Sequence, residues 1–285
     1  MAKVINKKNE GKNKSNKDVL KTIKKVLSEI LKYASLILAA FASIVPLVVI
    51  VFGAFKTKEE FSRSGALSLP ENWLNFQNFV TAFVKGDMLL GFFNTIVLVG
   101  ASVVLTVVFG TMTAYIINRF KFKFSKIVNT AFLVASLVPS ITMQMSVFQL
   151  ISKMGLFNTR WAGILLFAGT DIISIYIFVQ FLQNIPNSLD ESAVMDGASY
   201  TTIFWRILFP LMKPAIVTVC IIKGVGFYNE FYTPFLYMPT QDLRVISTAL
   251  FKFKGPFGSQ WEVICAGVII TILPALIIFF LLQRQ

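Results

Sequence analysis

Apolar residues in this chain come in long unbroken runs, not in the alternation of surface strands or the narrow stripes of soluble helices. Six runs stand out, near Tyr33 to Phe55, Leu90 to Ile117, Ile127 to Ile151, Ala162 to Gln183, Pro214 to Phe235 and Val263 to Leu282. A helix rising about 1.5 Å per residue needs roughly 20 residues to cross a hydrocarbon core of about 30 Å, and each run has about that length. Charged residues, Pro and Gly separate them. A transmembrane barrel would instead show segments of about ten alternating residues. The pattern predicts an all-α integral membrane protein with six transmembrane helices. The fifth run is the least regular, because it contains Lys223, Gly224, Gly226 and Glu230.

Composition narrows the chemistry. With 55% apolar and 14% charged residues, a soluble domain is excluded. Histidine is absent, so His-based triads and His-ligated metals are excluded as well. Cys220 and Cys265 both lie within apolar runs and read as small buried apolar residues, since two thiols cannot build a structural zinc site. The net charge of +13 is unevenly placed: ten lysines precede Tyr33, in a tract rich in Lys, Asn and Ser that lacks the apolar core of a signal peptide. Residues 1–32 therefore read as a basic cytoplasmic tail and lead-in facing the lipid bilayer, with no role in nucleic-acid binding. Residues 33–285 form the membrane domain.

Orientation follows from the connecting segments. With the N-terminus inside, 17 Lys and Arg fall on the cytoplasmic side, including Arg119, Lys121, Lys123 and Lys126, and nine fall outside. Six spans then place both termini in the cytoplasm of a multi-pass protein of the cell membrane. Without the tail the counts are seven and nine, so the assignment rests on the tail and the compact Arg119 to Lys126 cluster. The segment 184–213, between the fourth and fifth spans, becomes the longest cytoplasmic loop. The outside connections, 56–89 and 238–262, are too short for independent receptor domains. No G-x-x-x-x-G-K-[ST] phosphate loop occurs, so nucleotide hydrolysis would have to come from another polypeptide, and the chain itself is not expected to be an enzyme.

The cytoplasmic loop carries explicit helix punctuation. Ser188 with Glu191 three residues later has the spacing of a capping box, in which each side chain bonds the other's backbone N–H. Asp190 and Glu191 suit the positive end of the helix dipole that would start there. Gly197 is placed to end it in the left-handed conformation. Ser199 or Thr201 would cap a second short helix through Trp205, stopped by Pro210 and Pro214.

Glu191-Ser192-Ala193, three residues, Gly197, nine residues, Ile207, one residue, then Phe209-Pro210 resembles the E-A-A-x3-G-x9-I-x-L-P signature of permease subunits of ATP-binding-cassette importers. Ser192 replaces the central alanine and Phe209 the leucine; a small residue and an apolar contact are kept. Phe55-Lys56-Thr57, Leu69-Pro70, Trp73, Phe93-Asn94-Thr95, Tyr228-Asn229-Glu230-Phe231 and the ending from Trp261 to Gln283-Arg284 are similar to maltose-type carbohydrate permeases, in particular the six-span subunit of the pair. The resemblance implies an importer subunit that translocates a sugar or oligosaccharide, or by a second reading a phosphorylated polyol. It further implies a homologous second permease, two ATP-binding subunits that hold the ATP and Mg, and an external solute-binding protein, with no cofactor in this chain. By the same resemblance Ser188, Glu191, Ser192, Ala193, Asp196, Gly197, Ile207, Phe209 and Pro210 belong to the segment that docks on the ATPase.

Ionisable groups within a bilayer cost about 2.5–3.5 kcal/mol each on insertion scales and so mark function. Lys223 and Glu230, seven apart, fall on one side of a helix. With Tyr228 and Asn229 they are candidates for the translocation pathway, although Lys223 could equally snorkel or pair with a partner's acid. Asp171 is a weaker candidate. Met143, Met145 and the phenylalanine background read as packing and lipid contact, and Tyr228 and Trp261 suit either a sugar face or the interface belt. A stand-alone secondary transporter would show inverted repeats or paired broken helices, and a membrane enzyme would show clustered acids, bases or metal ligands. Neither pattern is evident.

Overall fold

The structure, a computed structural model, describes residues 2–120, 125–169, 172–255 and 258–282. Asp171 lies outside these residues, as do Lys121, Lys123 and Arg284. The described residues are almost wholly helical, and the chain divides into the units Met1–Asn75 and Phe76–Gln285.

In the first unit, helix α1 (Ala2–Phe55) carries the basic lead-in directly into the first apolar run. Its segment Lys24–Phe55 is long and apolar enough to cross a membrane. Thr57 then opens α2 (Lys58–Arg63) through a true capping box: its hydroxyl accepts from the Glu60 N–H at 3.2 Å, and the Glu60 carboxylate accepts from the Thr57 N–H at 3.4 Å. Lys56 is only 1% exposed, and its ammonium donates to Ser64 Oγ (3.0 Å), Gly65 O (2.9 Å) and Ser68 Oγ (2.8 Å). Lys56 is thus the centre about which residues 57–68 fold, because burial is tolerable once its donors are satisfied. Trp73 closes the unit with its ring 5.7 Å from Phe52 and 5.6 Å from Phe55.

The second unit opens with α3 (Gln77–Lys85) and is organised about α4 (Met88–Arg119), the one other unbroken helix among the described residues that is long and apolar enough to span a membrane. Its buried positions, among them Gly91, Asn94, Leu98, Ser102, Thr106, Gly110 and Ala114, recur every three or four residues over its whole length. That is the period of one helix face, and most of these residues are small, which lets neighbouring backbones approach closely. A Cβ on Gly110 would stand 3.0 Å from the ring of the fully buried Phe178.

The remaining runs form broken helices. The third becomes α5 (Ser125–Leu137) and α6 (Ser140–Lys153), parted at Pro139, whose ring cannot continue a helix. The fourth becomes α7 (Arg160–Ala168) and α8 (Ile172–Gln183), bent by 44°. The loop between the fourth and fifth runs supplies α9 (Ser188–Met195), α10 (Tyr200–Ile203), a π-helical turn (Phe204–Leu208) and α11 (Phe209–Leu211). The fifth run becomes α12 (Lys213–Asn229) and α13 (Tyr232–Tyr237). After α14 (Ile246–Ala249) and a two-residue antiparallel pairing of β1 (Lys254–Gly255) with β2 (Gly258–Ser259), α15 (Trp261–Leu282) holds the sixth. All six predicted runs are helical where described; two are uninterrupted spans by length and composition.

Candidate functional site

The loop that carries the signature is seated by its neighbours. In α9, Ala193 is 7% exposed and packs in one apolar cluster with Tyr115 of α4, Phe178 and Leu182 of α8 and Met212. Glu191, Ser192, Val194, Met195 and Asp196 face outward, and Met195 is 86% exposed. The signature's small residue is therefore the inward side of the helix, and its outward side is free to meet something else. Gly197 has φ +80°, and the N–H groups of Gly197 and Ala198 bond the carbonyls of Val194 (2.9 Å) and Ala193 (2.9 Å). This pair of bonds is a Schellman motif, so glycine ends the helix as its position in the sequence predicts.

Two local expectations are corrected. Ser188 is the first helical residue and not the cap: Asn187 already has helical backbone angles (φ −67°, ψ −21°), and the Glu191 N–H goes to the Asn187 carbonyl at 3.0 Å. The Ser188–Glu191 capping box does not form, because a capping side chain needs an extended backbone beneath it. Pro210 does not stop the second helix either. Ser199 caps α10 by accepting from the Thr202 N–H (3.3 Å), and the chain then widens into the π turn, where the Phe209 N–H reaches the Phe204 carbonyl. The helix runs through Pro210 to Leu211, and the break comes at Met212, with a 71° bend. A wider turn relieves the clash between a proline ring and the preceding turn. Ile207 and Phe209 are half-buried against the same core, and Pro210 is exposed.

One arginine fixes this loop. Arg119, the last residue of α4, places Nε 2.7 Å from Asp190 Oδ2, donates from Nη2 to the Ile185 carbonyl (2.9 Å) and from Nη1 to Asn187 Oδ1. Both ends of the ion pair are largely buried, with side chains 8% and 15% exposed. Burial raises the Asp190 carboxyl above its ordinary value, and the Arg119 guanidinium pulls it back only in part. Aromatic rings finish the seat: Tyr115 meets Phe204 at 5.6 Å and Phe120 at 5.5 Å, and Phe120 meets Tyr200 at 5.1 Å. Its place in a cluster of basic residues marks Arg119 only as a topology charge, and its burial against the loop is visible only in the fold.

The pathway candidates are partly brought together. Tyr228 and Asn229 line a cavity of about 250 Å³ with Ser247, Leu250 and Thr271. Lys223 and Glu230 are not among its walls. Tyr228 donates its hydroxyl to the Thr271 carbonyl at 2.7 Å, which ties α12 to α15. Glu230 sits at the break between α12 and α13, where its carboxylate accepts from the N–H groups of Tyr232 (2.9 Å) and Thr233 (3.2 Å) and its carbonyl accepts from Ser247 Oγ (2.7 Å). Glu230 is thus the cap of a broken helix, satisfying donors that the break exposes. Met143 and Met145 are exposed on α6.

Residues 106–285 match the family described as the binding-protein-dependent transport system inner membrane component, and the match contains the whole of the loop built above. The chain belongs to that family. This permease is 32% identical over 85% of its length to 88% of the Probable starch degradation products transport system permease protein AmyC of Thermoanaerobacterium thermosulfurigenes. It is 27% identical over 86% of its length to 88% of the arabinooligosaccharides transport system permease protein AraQ of Halalkalibacterium halodurans. Among solved structures, a subunit of a bacterial ABC transporter involved in the import of the acidic polysaccharide alginate shares the fold, with a TM-score of 0.76 at 19% identity, covering 91% of the permease and 96% of that chain. The permease is therefore a multi-pass membrane transport component and not an enzyme, in agreement with the all-α reading of the sequence.

Proposed function

We propose that this permease is one of two membrane subunits of an ATP-driven importer that translocates a sugar or oligosaccharide handed over by an external solute-binding protein. In this reading α9 docks on one of two ATPase subunits, which hold the ATP and Mg, and the second membrane subunit is a homologous permease. The observation that carries the reading is α9 itself: a short helix closed by a Schellman turn at Gly197, clamped from behind by Arg119, with Glu191, Met195 and Asp196 turned outward. A helix held that firmly on one side and bare on the other is built for a partner. Docking moves it as a rigid body when the ATPases close, and packed helices convert such displacements into alternating access.

The topology that accompanies this has six spans, with the tail 1–32, the loop 184–213 and both termini in the cytoplasm, as the lysine and arginine distribution favours. The third to fifth spans contain interruptions, which a membrane protein tolerates where neighbouring protein satisfies the freed backbone groups. Glu230 does this at the break between α12 and α13. Carbohydrate as the cargo is supported by the relatives named above and by the aromatic and amide side chains of the Tyr228–Asn229 cavity.

A photo-crosslinking residue at Met195 tests the docking. In cells that carry the whole transporter it is expected to capture the ATPase subunit. A fully inserted permease that captures no ATPase from this position contradicts the assignment.

A further inference from the structure

Three helices adjoin the ATPase-facing segment, and they differ in one mechanical respect. α8 leads into it after the bend that follows α7. α12 leads away from it, but through a 71° bend at Met212 and a second interruption at Glu230. α4 alone runs from it without a proline or a break for 32 residues, about 48 Å at 1.5 Å per residue.

The far end of α4 is fastened as firmly as the near end. Asn94, 1% exposed, donates to the carbonyls of Asp242 (2.8 Å) and Arg244 (2.9 Å) and accepts from Arg160 Nη2 (3.0 Å). Beside it, Thr95 Oγ1 accepts from the Ile246 N–H (2.9 Å) while donating to the Gly91 carbonyl (2.7 Å). The segment Asp242–Ile246 is thereby tied to α4 through backbone groups, so its path and not merely a side-chain contact depends on where α4 stands. Twenty-five positions on, about 38 Å along the axis, Arg119 grips Asp190, Ile185 and Asn187 in the same way. Between the two clamps the buried face is lined by small residues, and the close approach of Gly110 to Phe178 leaves little slack.

Resting on the functional reading above, we propose that α4 is the transmission strut of the permease: Arg119 takes up displacement of the ATPase-facing segment, and Asn94 and Thr95 deliver it to the segment Asp242–Ile246. A helix cannot be compressed by the small shifts that a closing ATPase delivers, whereas bent and broken helices absorb them at their joints. Arg119, Asn94 and Thr95 are positioning residues in this scheme. None of them needs to touch the cargo.

The test reads motion at one end while driving the other. A cysteine replaces the exposed Gln241, and its reaction with a membrane-impermeant maleimide is followed in the complete reconstituted transporter, with and without a non-hydrolysable ATP analogue. The analogue is expected to change the rate in the parent. Arg119→Gln and Asn94→Ala should each shrink that change about fivefold or more, the scale of ordinary coupling between sites. Thr95→Val, which keeps the volume and removes the acceptor for Ile246 together with the bond to the Gly91 carbonyl within α4, gives the same reading should Asn94→Ala not assemble. Because a strut cut at either end is already cut, Arg119→Gln combined with Thr95→Val should lose no more than the worse single variant. Losses that multiply, or singles that retain the full response, overturn the strut. A parent transporter whose Gln241 position ignores the nucleotide, while an ATPase crosslink at Met195 persists, overturns the strut and leaves the docking reading standing. Absence of both overturns the docking reading itself.

Discussion

Arg119 and Asp190 form a largely buried ion pair, 2.7 Å from Nε to Oδ2, between the end of the longest unbroken helix of the second unit and the first turn of the helix that carries the family signature. Buried pairs of this kind add little net stability but are costly to break singly, because the survivor is left charged and unpaired.

The pair has a pH signature. Burial raises the Asp190 carboxyl and Arg119 lowers it, so in Arg119→Gln the carboxyl rises further. A carboxyl raised in the folded state contributes stability that is fully present below its ordinary range and is lost as pH climbs through the folded value. The thermal stability gap between Arg119→Gln and the parent, measured in detergent from about pH 4 to about pH 8, should therefore widen as pH rises. A gap that does not change with pH contradicts the buried pairing.

At Gly197 the cost is conformational, since φ is +80° and a Cβ there would meet nothing within 4 Å. Gly197→Ala should cost roughly 1 kcal/mol of local stability and Gly197→Asn less, because Asn tolerates the left-handed region. Gly197→Asp adds a charge beside the docking face and should abolish most uptake while the protein remains inserted. Equal uptake in Asp and Asn variants would remove Gly197 from the docking surface.

Lys56 predicts a loop defect in place of a transport defect. Lys56→Met removes three charged hydrogen bonds to Ser64, Gly65 and Ser68, a loss of roughly 2–3 kcal/mol in the loop that follows α1. Added protease should then cut within residues 57–75 in the variant and spare the parent. Resistance equal to that of the parent contradicts the ammonium's role as the centre of that loop.

Accessibility checks the orientation. Met195 and Leu74 are 86% and 78% exposed. Single cysteines at these positions should react with an impermeant reagent from the cytoplasmic side and the external side respectively. Reaction of the Met195 position from outside would invert the topology.

What could be read beforehand was what the chain specifies locally. Apolar run length gave the helical membrane class, and a glycine directly after the C-cap of the signature helix gave the left-handed turn at Gly197. Other roles were not legible in the spacing of residues. Ser188 was mistaken for the cap because Asn187, one residue earlier, is held helical by a loop that Arg119 grips from 68 positions away. Pro210 is not a stop because its ring is accommodated by a π turn, in which Phe204 packs against Tyr115. Lys56 and Arg119 were weighed as topology charges, and both are buried clamps. At Glu230, a candidate for the pathway, the carboxylate also caps the break in the helix beside it, a role that its charge alone does not signal. The Arg119 and Phe204 contacts join residues distant in sequence, which spacing rules do not reach; Lys56 and Glu230 bond nearby residues, in turns whose conformation spacing alone does not specify.

Reconstitution tests the transport role most directly. Vesicles holding this permease, its partner permease and the ATPase subunits, supplied with the binding protein outside and ATP inside, are presented with labelled malto- and arabino-oligosaccharides. Accumulation against a gradient is expected with every component present, and none when the ATPase is omitted. Flow of a solute down its gradient through vesicles holding this chain alone would contradict it, and would make the permease a channel or a transporter in its own right.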